Sequence, residues 1–206
     1  MPKKTFIILF FISNTLVSQT YWQQFKKLST PKVTWVIFHP FKAKKALQLS
    51  KVANKVTDSI RKTSLLDGDP SGGQVDAFRH AFWMAILKQE IGNSAAKSLG
   101  KAHEKENYKT YKKRKLEDGV IPDKISSEMD LFNNNIGLSL IKKGAKISRK
   151  SIVYKVINAI HQGKLKVLKK NKKGRFLTCT NTIISKESLY GKWENNKCLV
   201  DSNYQK

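Results

Sequence analysis

The sequence predicts a mainly α fold, a compact bundle of about five helices with a small β-like tail at its C-terminus. Apolar residues recur at steps of three and four over most of residues 41–162, and glycine or glycine-rich turns cut that pattern into helix-sized pieces. The two cysteines, Cys179 and Cys198, fall together in a last stretch whose composition suits strands and turns. A chain of 206 residues with 40% apolar content can bury one sizeable core, which favours one domain with a small appendage.

Taken in order, residues 1–18 read as a signal peptide: Lys3-Lys4, an apolar run from Phe6 to Val17, then Ser18 as the small residue at a cleavage point. That run is well short of the roughly 20 apolar residues a membrane-crossing helix needs, so no permanent membrane span is expected after cleavage. The localisation that follows is export, to a periplasm or to the medium. An aromatic opening segment, 20–39, is closed by Pro40. The first long helix spans 41–62 and stops at the turn 67–73, read as a plain loop because it lacks the ligand spacing of a calcium loop. The second runs over 74–92 and the third over 94–113, with Asn93 or Ser94 as cap. The fourth opens at Ser126-Ser127 and reaches 143, with Ser127 and Asp130 three residues apart as a capping box. The fifth covers 151–162. The domain division is therefore signal peptide 1–18, helical domain 19–163, and 164–206 as a basic linker plus a tail closed by a Cys179–Cys198 disulfide, the pairing expected in an oxidising compartment.

Lys and Arg exceed Asp and Glu by 40 to 15, a net charge of +25 spread along the chain. An anionic polymer or membrane surface is the partner class this implies, through a field effect that carries no sequence information. Tyr108 and Tyr111 among the lysines of 105–115 add rings able to stack on bases.

Chemistry-bearing residues concentrate between Asp76 and Asn135. On the second helix Asp76, Arg79, His80 and Trp83 share one face by their spacing. The third carries His103-Glu104, and the fourth opens with Glu128, Asp130 and the amides Asn133, Asn134 and Asn135. The strings Asp76-Ala77-Phe78-Arg79-His80-Ala81-Phe82-Trp83, Ala102-His103-Glu104 and Met129-Asp130-Leu131-Phe132-Asn133-Asn134-Asn135-Ile136-Gly137 resemble a family of bacterial helical domains, often exported or attached to larger secreted proteins and of unknown function. The resemblance covers the motif core, 40–144. In that family the position of Phe132 is commonly His, which implies either that this His is dispensable to the shared chemistry or that the present chain has lost something.

Three readings of the cluster stand side by side. In the first, His80, His103 and Asp130 ligate a divalent metal ion with Glu104 or Asp76 beside them; the order His, His-Glu, Asp is loosely similar to that of metal-dependent phosphohydrolases. In the second, a metal-free acid/base site uses the same groups. Either way the catalytic candidates are His80, His103, Glu104 and Asp130, and Arg79, Trp83, Asn133 and Asn134 are the substrate-binding candidates, with Arg79 suited to an anionic group. In the third, the polar groups are structural, Asp76 pairing Arg79. The sequence thus points to a hydrolase of a phosphate-containing, anionic substrate or, alternatively, to a non-enzymatic helical module that binds anionic surfaces.

Overall fold

The computed structural model describes residue 23 and residues 25–116 and 121–205, so the proposed signal peptide lies outside the described residues. The elements are α1 Thr30–Phe38, α2 Pro40–Arg61, α3 Gln74–Ile91, α4 Asn93–Lys112, α5 Lys124–Ser139, α6 Arg149–His161, β1 Lys166–Leu168, the one-turn α7 Lys186–Leu189, and β2 Leu199–Asp201. β1 and β2 pair antiparallel, with Lys166 opposite Asp201. The five long helices α2 to α6 are the five periodic stretches of the sequence.

α3 is the axis of the bundle. Val75, Ala77, Phe78, Ala81, Phe82, Met84, Ala85, Ile86, Leu87 and Ile91 are all buried, so apolar residues face most of the way round it and leave Asp76, Arg79 and His80 as a short polar strip near its start. It packs on α2, α4, α5 and α6. Its closest neighbour is α5, because Gly137 has no side chain: a Cβ there would stand 2.2 Å from the Ala81 carbonyl oxygen and 2.7 Å from Ala81 Cα. The two backbones therefore touch. Asp130 lies two turns before Gly137 on the same helix, and this contact brings it against α3. α1 is tied on from the other side, its buried Trp35 donating the indole N–H to Ala95 O at 3.1 Å and Ser98 Oγ at 2.9 Å.

The ends of the helices differ from expectation. Neither Asn93 nor Ser94 caps α4; the chain turns at Gly92, whose φ of 88° is open to glycine, and the helix begins directly after it. α5 begins two residues before Ser126, with Asp123 as N-cap accepting from Ser126 N–H at 2.8 Å. The Ser127–Asp130 capping box is not made, since Asp123 takes that role and Asp130 is turned to α3. α6 starts at Arg149 under Ser148, which accepts from Ser151 N–H at 3.1 Å.

Residues 164–168 do not behave as a linker. Leu165, Val167 and Leu168 are buried in the common core, and Asn133 of α5 binds the Lys166 backbone on both sides, N–H and carbonyl, each at 2.9 Å. The tail is thus sewn to the bundle. Cys179 and Cys198 are disulfide-bonded as expected, closing the loop that returns the chain to β2.

Candidate metal centre and cleft

The short α3 to α5 distance sets His80 between two carboxylates. Its Nε2 stands 3.6 Å from Asp76 Oδ1, one turn back on α3, and 3.3 Å from Asp130 Oδ1 on α5. One ligand atom from each of Asp76, His80 and Asp130 falls within 4.8 Å of the others, and all three residues are buried. Neighbouring ligands on one ion, at metal distances of about 2.0 to 2.2 Å, sit roughly 3 to 3.5 Å apart, so the two distances at His80 Nε2 are close to those about a single divalent cation and the group could hold one. Three protein ligands with positions left over is the pattern of a catalytic rather than a structural site. The structure therefore puts Asp76 in the place that sequence reading gave to His103.

Electrostatics favour the ligand form of the imidazole. Burial, followed by the charges of Arg79 and His103, holds His80 well below the ordinary histidine value, while Asn134, buried at its side, pulls the other way. A neutral ring is what a cation requires. Asp76 is oriented from outside the helix as well: its Oδ2 accepts Gly72 N–H at 2.7 Å and its Oδ1 accepts Arg79 Nη2 at 2.6 Å. The same Arg79 nitrogen lies 3.4 Å from His80 Nε2, so the guanidinium occupies the cationic position of the cluster.

The cluster forms the floor of a small open cleft. Pro70, Ser71 and Gly72 of the glycine-rich turn make one wall, His103 and Asn107 of α4 a second, and Ser126 and Ser127 of α5 with Pro122 a third. The turn expected to be a plain loop is thus part of the site. It is held down from the tail, where the buried Lys170 ammonium donates to Asp69 Oδ2 at 2.7 Å and Ser71 O at 2.6 Å. Lys197 does the same for the third wall through Asp123 Oδ2 at 2.5 Å, and both lysines lie over the Phe176 ring. These anchors were missed because Lys170 and Lys197 look, in sequence, like any other lysine of a basic tail.

The remaining candidates divide. His103 lines the cleft, stacked on His80 with ring centroids 6.0 Å apart, and its Nδ1 faces Glu106 Oε2 at 3.6 Å. Burial pushes the Glu106 carboxyl up, but hydrogen bonds with His103, Lys32 and Ser29 outweigh it and bring the value down to about 2. Glu106, not the adjacent Glu104, is the carboxylate that orients this histidine. Sequence reading passed it over, although its i, i+3 spacing from His103 was a usable signal. Glu104 is buried behind the wall and accepts from Asn107 Nδ2 at 3.1 Å. Asn107 Oδ1 and Ser127 Oγ, both buried, make no hydrogen bond among the described residues. Trp83 donates its indole N–H to Ser50 Oγ at 2.9 Å and meets His103 edge-on, a bracing position rather than a substrate face. Asn133 is fully buried with its amide committed to β1, and Phe132 carries Lys166 Nζ 5.7 Å above its ring; neither lines the cleft. The rings of Tyr108 and Tyr111 are packed against Trp193 of the tail.

With this geometry in place, comparison with known families gives one match: the family described as "Domain of unknown function (DUF6973)" covers residues 33–164. The chain belongs to that family. The matched span contains α2 to α6 and every cleft-lining residue named above, and it stops before the tail that holds Lys170, Lys197 and the disulfide. No curated protein and no solved structure matches.

Proposed function

We propose that this chain is an exported metal-dependent hydrolase of phosphate-containing anionic substrates, with a divalent ion held by Asp76, His80 and Asp130. The observation that carries the reading is the 3.3 and 3.6 Å spacing of two carboxylate oxygens about a histidine nitrogen kept neutral by its burial. An ion there would polarise a phosphoryl oxygen and make a bound water acidic. The chain's own groups supply the rest. Arg79, displaced from Asp76 Oδ1 when an ion takes that position, offers a forked donor to the phosphate. His103, oriented by Glu106, accepts the proton of the attacking water; the new bond is phosphorus to water oxygen, the ester phosphorus–oxygen bond breaks, and the proton ends on the leaving oxygen. Asn107 Oδ1 and Ser127 Oγ are left for polar groups of the substrate. Export is supported by the disulfide, which persists in oxidising compartments, and by the leader-like first 18 residues. Among the described residues no helix is long and apolar enough to cross a membrane.

Metal analysis of the purified protein, followed by calorimetric titration of zinc and manganese and an assay on bis(4-nitrophenyl) phosphate, tests this. The expected result is one ion per chain, lost in His80→Ala and in Asp130→Asn together with hydrolysis. Wild-type protein that takes up no divalent ion under any of these conditions would end the metal reading.

A second reading is favoured by Arg79. Its guanidinium, 2.6 Å from Asp76 Oδ1, can serve as the cation that holds the cluster shut, making the domain a non-enzymatic module that docks on anionic surface through its lysines. That version expects no ion and an affinity for acidic polymer that falls steeply with salt. It also expects Arg79→Gln to unfold the site rather than open it to metal.

A further inference from the structure

Polar cleft and apolar corner lie on different helices, and the corner at the α1–α2 junction has no explanation in the chemistry above. Ile37 is 65% exposed, Phe38 76% and Phe41 99%, three large apolar side chains on successive turns of a bend made by His39-Pro40. Single exposed apolar residues are ordinary, but three within five residues of chain at one bend, two of them phenylalanine, mark a surface that meets something apolar. Behind them α2 shows a stripe: Phe41, Lys44, Gln48, Lys51 and Lys55 recur at steps of three and four, and all are exposed. From residue 23 to residue 57 the chain carries eight lysines and not one Asp or Glu. Among the described residues, Glu90 is matched with Lys45 at 3.1 Å and Glu106 with Lys32, while the exposed Asp58 closes the stripe at its far end, away from the apolar corner.

We propose that the α1–α2 corner docks on an anionic lipid surface, Ile37, Phe38 and Phe41 entering the acyl boundary while the lysine stripe of α2 lies over the headgroups. An apolar wedge with basic flanks is the composition that such an interface selects, since apolar burial and attraction to anionic headgroups add. A nucleic acid would satisfy the lysines and leave Ile37 with nothing to gain. A second copy of the chain, docked about a twofold axis, would bring the same lysine stripe against itself. The proposal does not depend on the metal ion. It gives the docking reading a place and a partner, and the two can fail separately.

Sedimentation of the full chain with vesicles of phosphatidylglycerol, or of phosphatidylcholine alone, tests it with the variants Phe38→Ser/Phe41→Ser, Lys44→Glu/Lys51→Glu and, as a control at a distant exposed ring, Tyr190→Ser. Wild type and Tyr190→Ser are expected to partition onto phosphatidylglycerol and not onto phosphatidylcholine. The double serine variant should bind about tenfold or more weakly, because burying one such side chain is worth at least a factor of ten. The glutamate variant should lose binding at low salt. Melting temperatures should be unchanged, as the substituted side chains are exposed. Phe41→Trp, which keeps the wedge apolar, should shift its emission to the blue when phosphatidylglycerol vesicles are added. Equal vesicle binding by the double serine variant would overturn the proposal, assigning the affinity to the first 22 residues or to charge alone. So would binding of a single-stranded oligonucleotide that the double serine substitution weakens equally, or a dimer that it dissolves without any effect on vesicles.

Discussion

His80 and His103 stack on one another with centroids 6.0 Å apart, yet each is governed by a different force. His80 belongs to α3, the buried axis, and desolvation rules it: the ring is kept neutral although Asp76 and Asp130 both face it. His103 belongs to the cleft wall, where a partner rules: Glu106 sits against it, itself held by Lys32 from α1. A neutral buried nitrogen between two carboxylates suits a cation, whereas a histidine backed by a carboxylate suits proton transfer. The contrast between burial and partnership is what lets neighbouring rings of one type do two things, and it can be broken at four points.

The largest effect is expected from Gly137→Ala. The added methyl meets the backbone of α3, which has no rotamer to change, so α5 must move away from Ala81. A cost of about 3 kcal/mol is expected, lowering the melting temperature by roughly 9 °C for a chain of this size. Divalent-ion binding should vanish with it, because Asp130 rides on α5 and His80 on α3. His103 and Glu106, both on α4, should keep their mutual contact. A variant that melts lower but binds metal as wild type does would show that the α3–α5 contact does not set the ligand spacing.

Next come the two carboxylates, which the same geometry sets apart. Asp76→Ala strands Gly72 N–H and the Arg79 guanidinium, a loss of about 3 kcal/mol in the apo protein. Asp130→Asn removes one of the two negative groups facing His80 and should be neutral or slightly stabilising in thermal melts, as is common where a site is held for a ligand. Equal destabilisation by both would favour the lock formed by Arg79 over the metal site.

These contrasts also mark what was legible in the sequence. α2 to α6 could be read because their apolar residues keep the helical period and because Gly92, Gly144 and the 67–73 turn interrupt it. Asp76, His80 and Asp130 could be named because acid and imidazole at such density are unusual. Their grouping could not be read. Whether Asp76 or His103 completes the set with His80 depends on how closely α3 and α5 approach, and that is decided by Gly137 against Ala81, a contact 56 residues apart in the chain. The roles of Lys170 and Lys197 were hidden for a similar reason, since a lysine becomes a loop anchor only when the fold buries it beside Asp69 or Asp123.

Acid sharpens the comparison from the side of His103. The Glu106 carboxyl has its folded value lowered to about 2 from an ordinary 4.5, so its contribution is full above pH 4.5 and is lost as pH falls toward 2. The group is only half buried, and after screening the contribution is about 1 to 2 kcal/mol. Chemical denaturation between pH 5 and pH 2.5 should therefore show a loss of stability in wild type that is smaller, by about that amount, in Glu106→Gln. An identical slope in both would mean that His103 has no functional partner in Glu106.

The smallest expected effect concerns Phe132, where the resemblance implies a His. Phe132 is 39% exposed, lies on the α5 face toward Lys166, and does not line the cleft. A histidine there stands one turn after Glu128 but on a different face from Asp130, whose neighbours on the helix are three and four residues away. Phe132→His should leave zinc and manganese affinity within twofold of wild type and shift the melting temperature by about 1 to 2 °C, the cost of exposing part of a half-buried ring. Tighter metal binding in that variant, with a fourth ligand visible in the ion's absorption or resonance spectrum, would instead mean that α5 rotates when the site is loaded. The present chain would then be a member whose site has lost one ligand, and the set Asp76, His80 and Asp130 would be three parts of a four-residue centre.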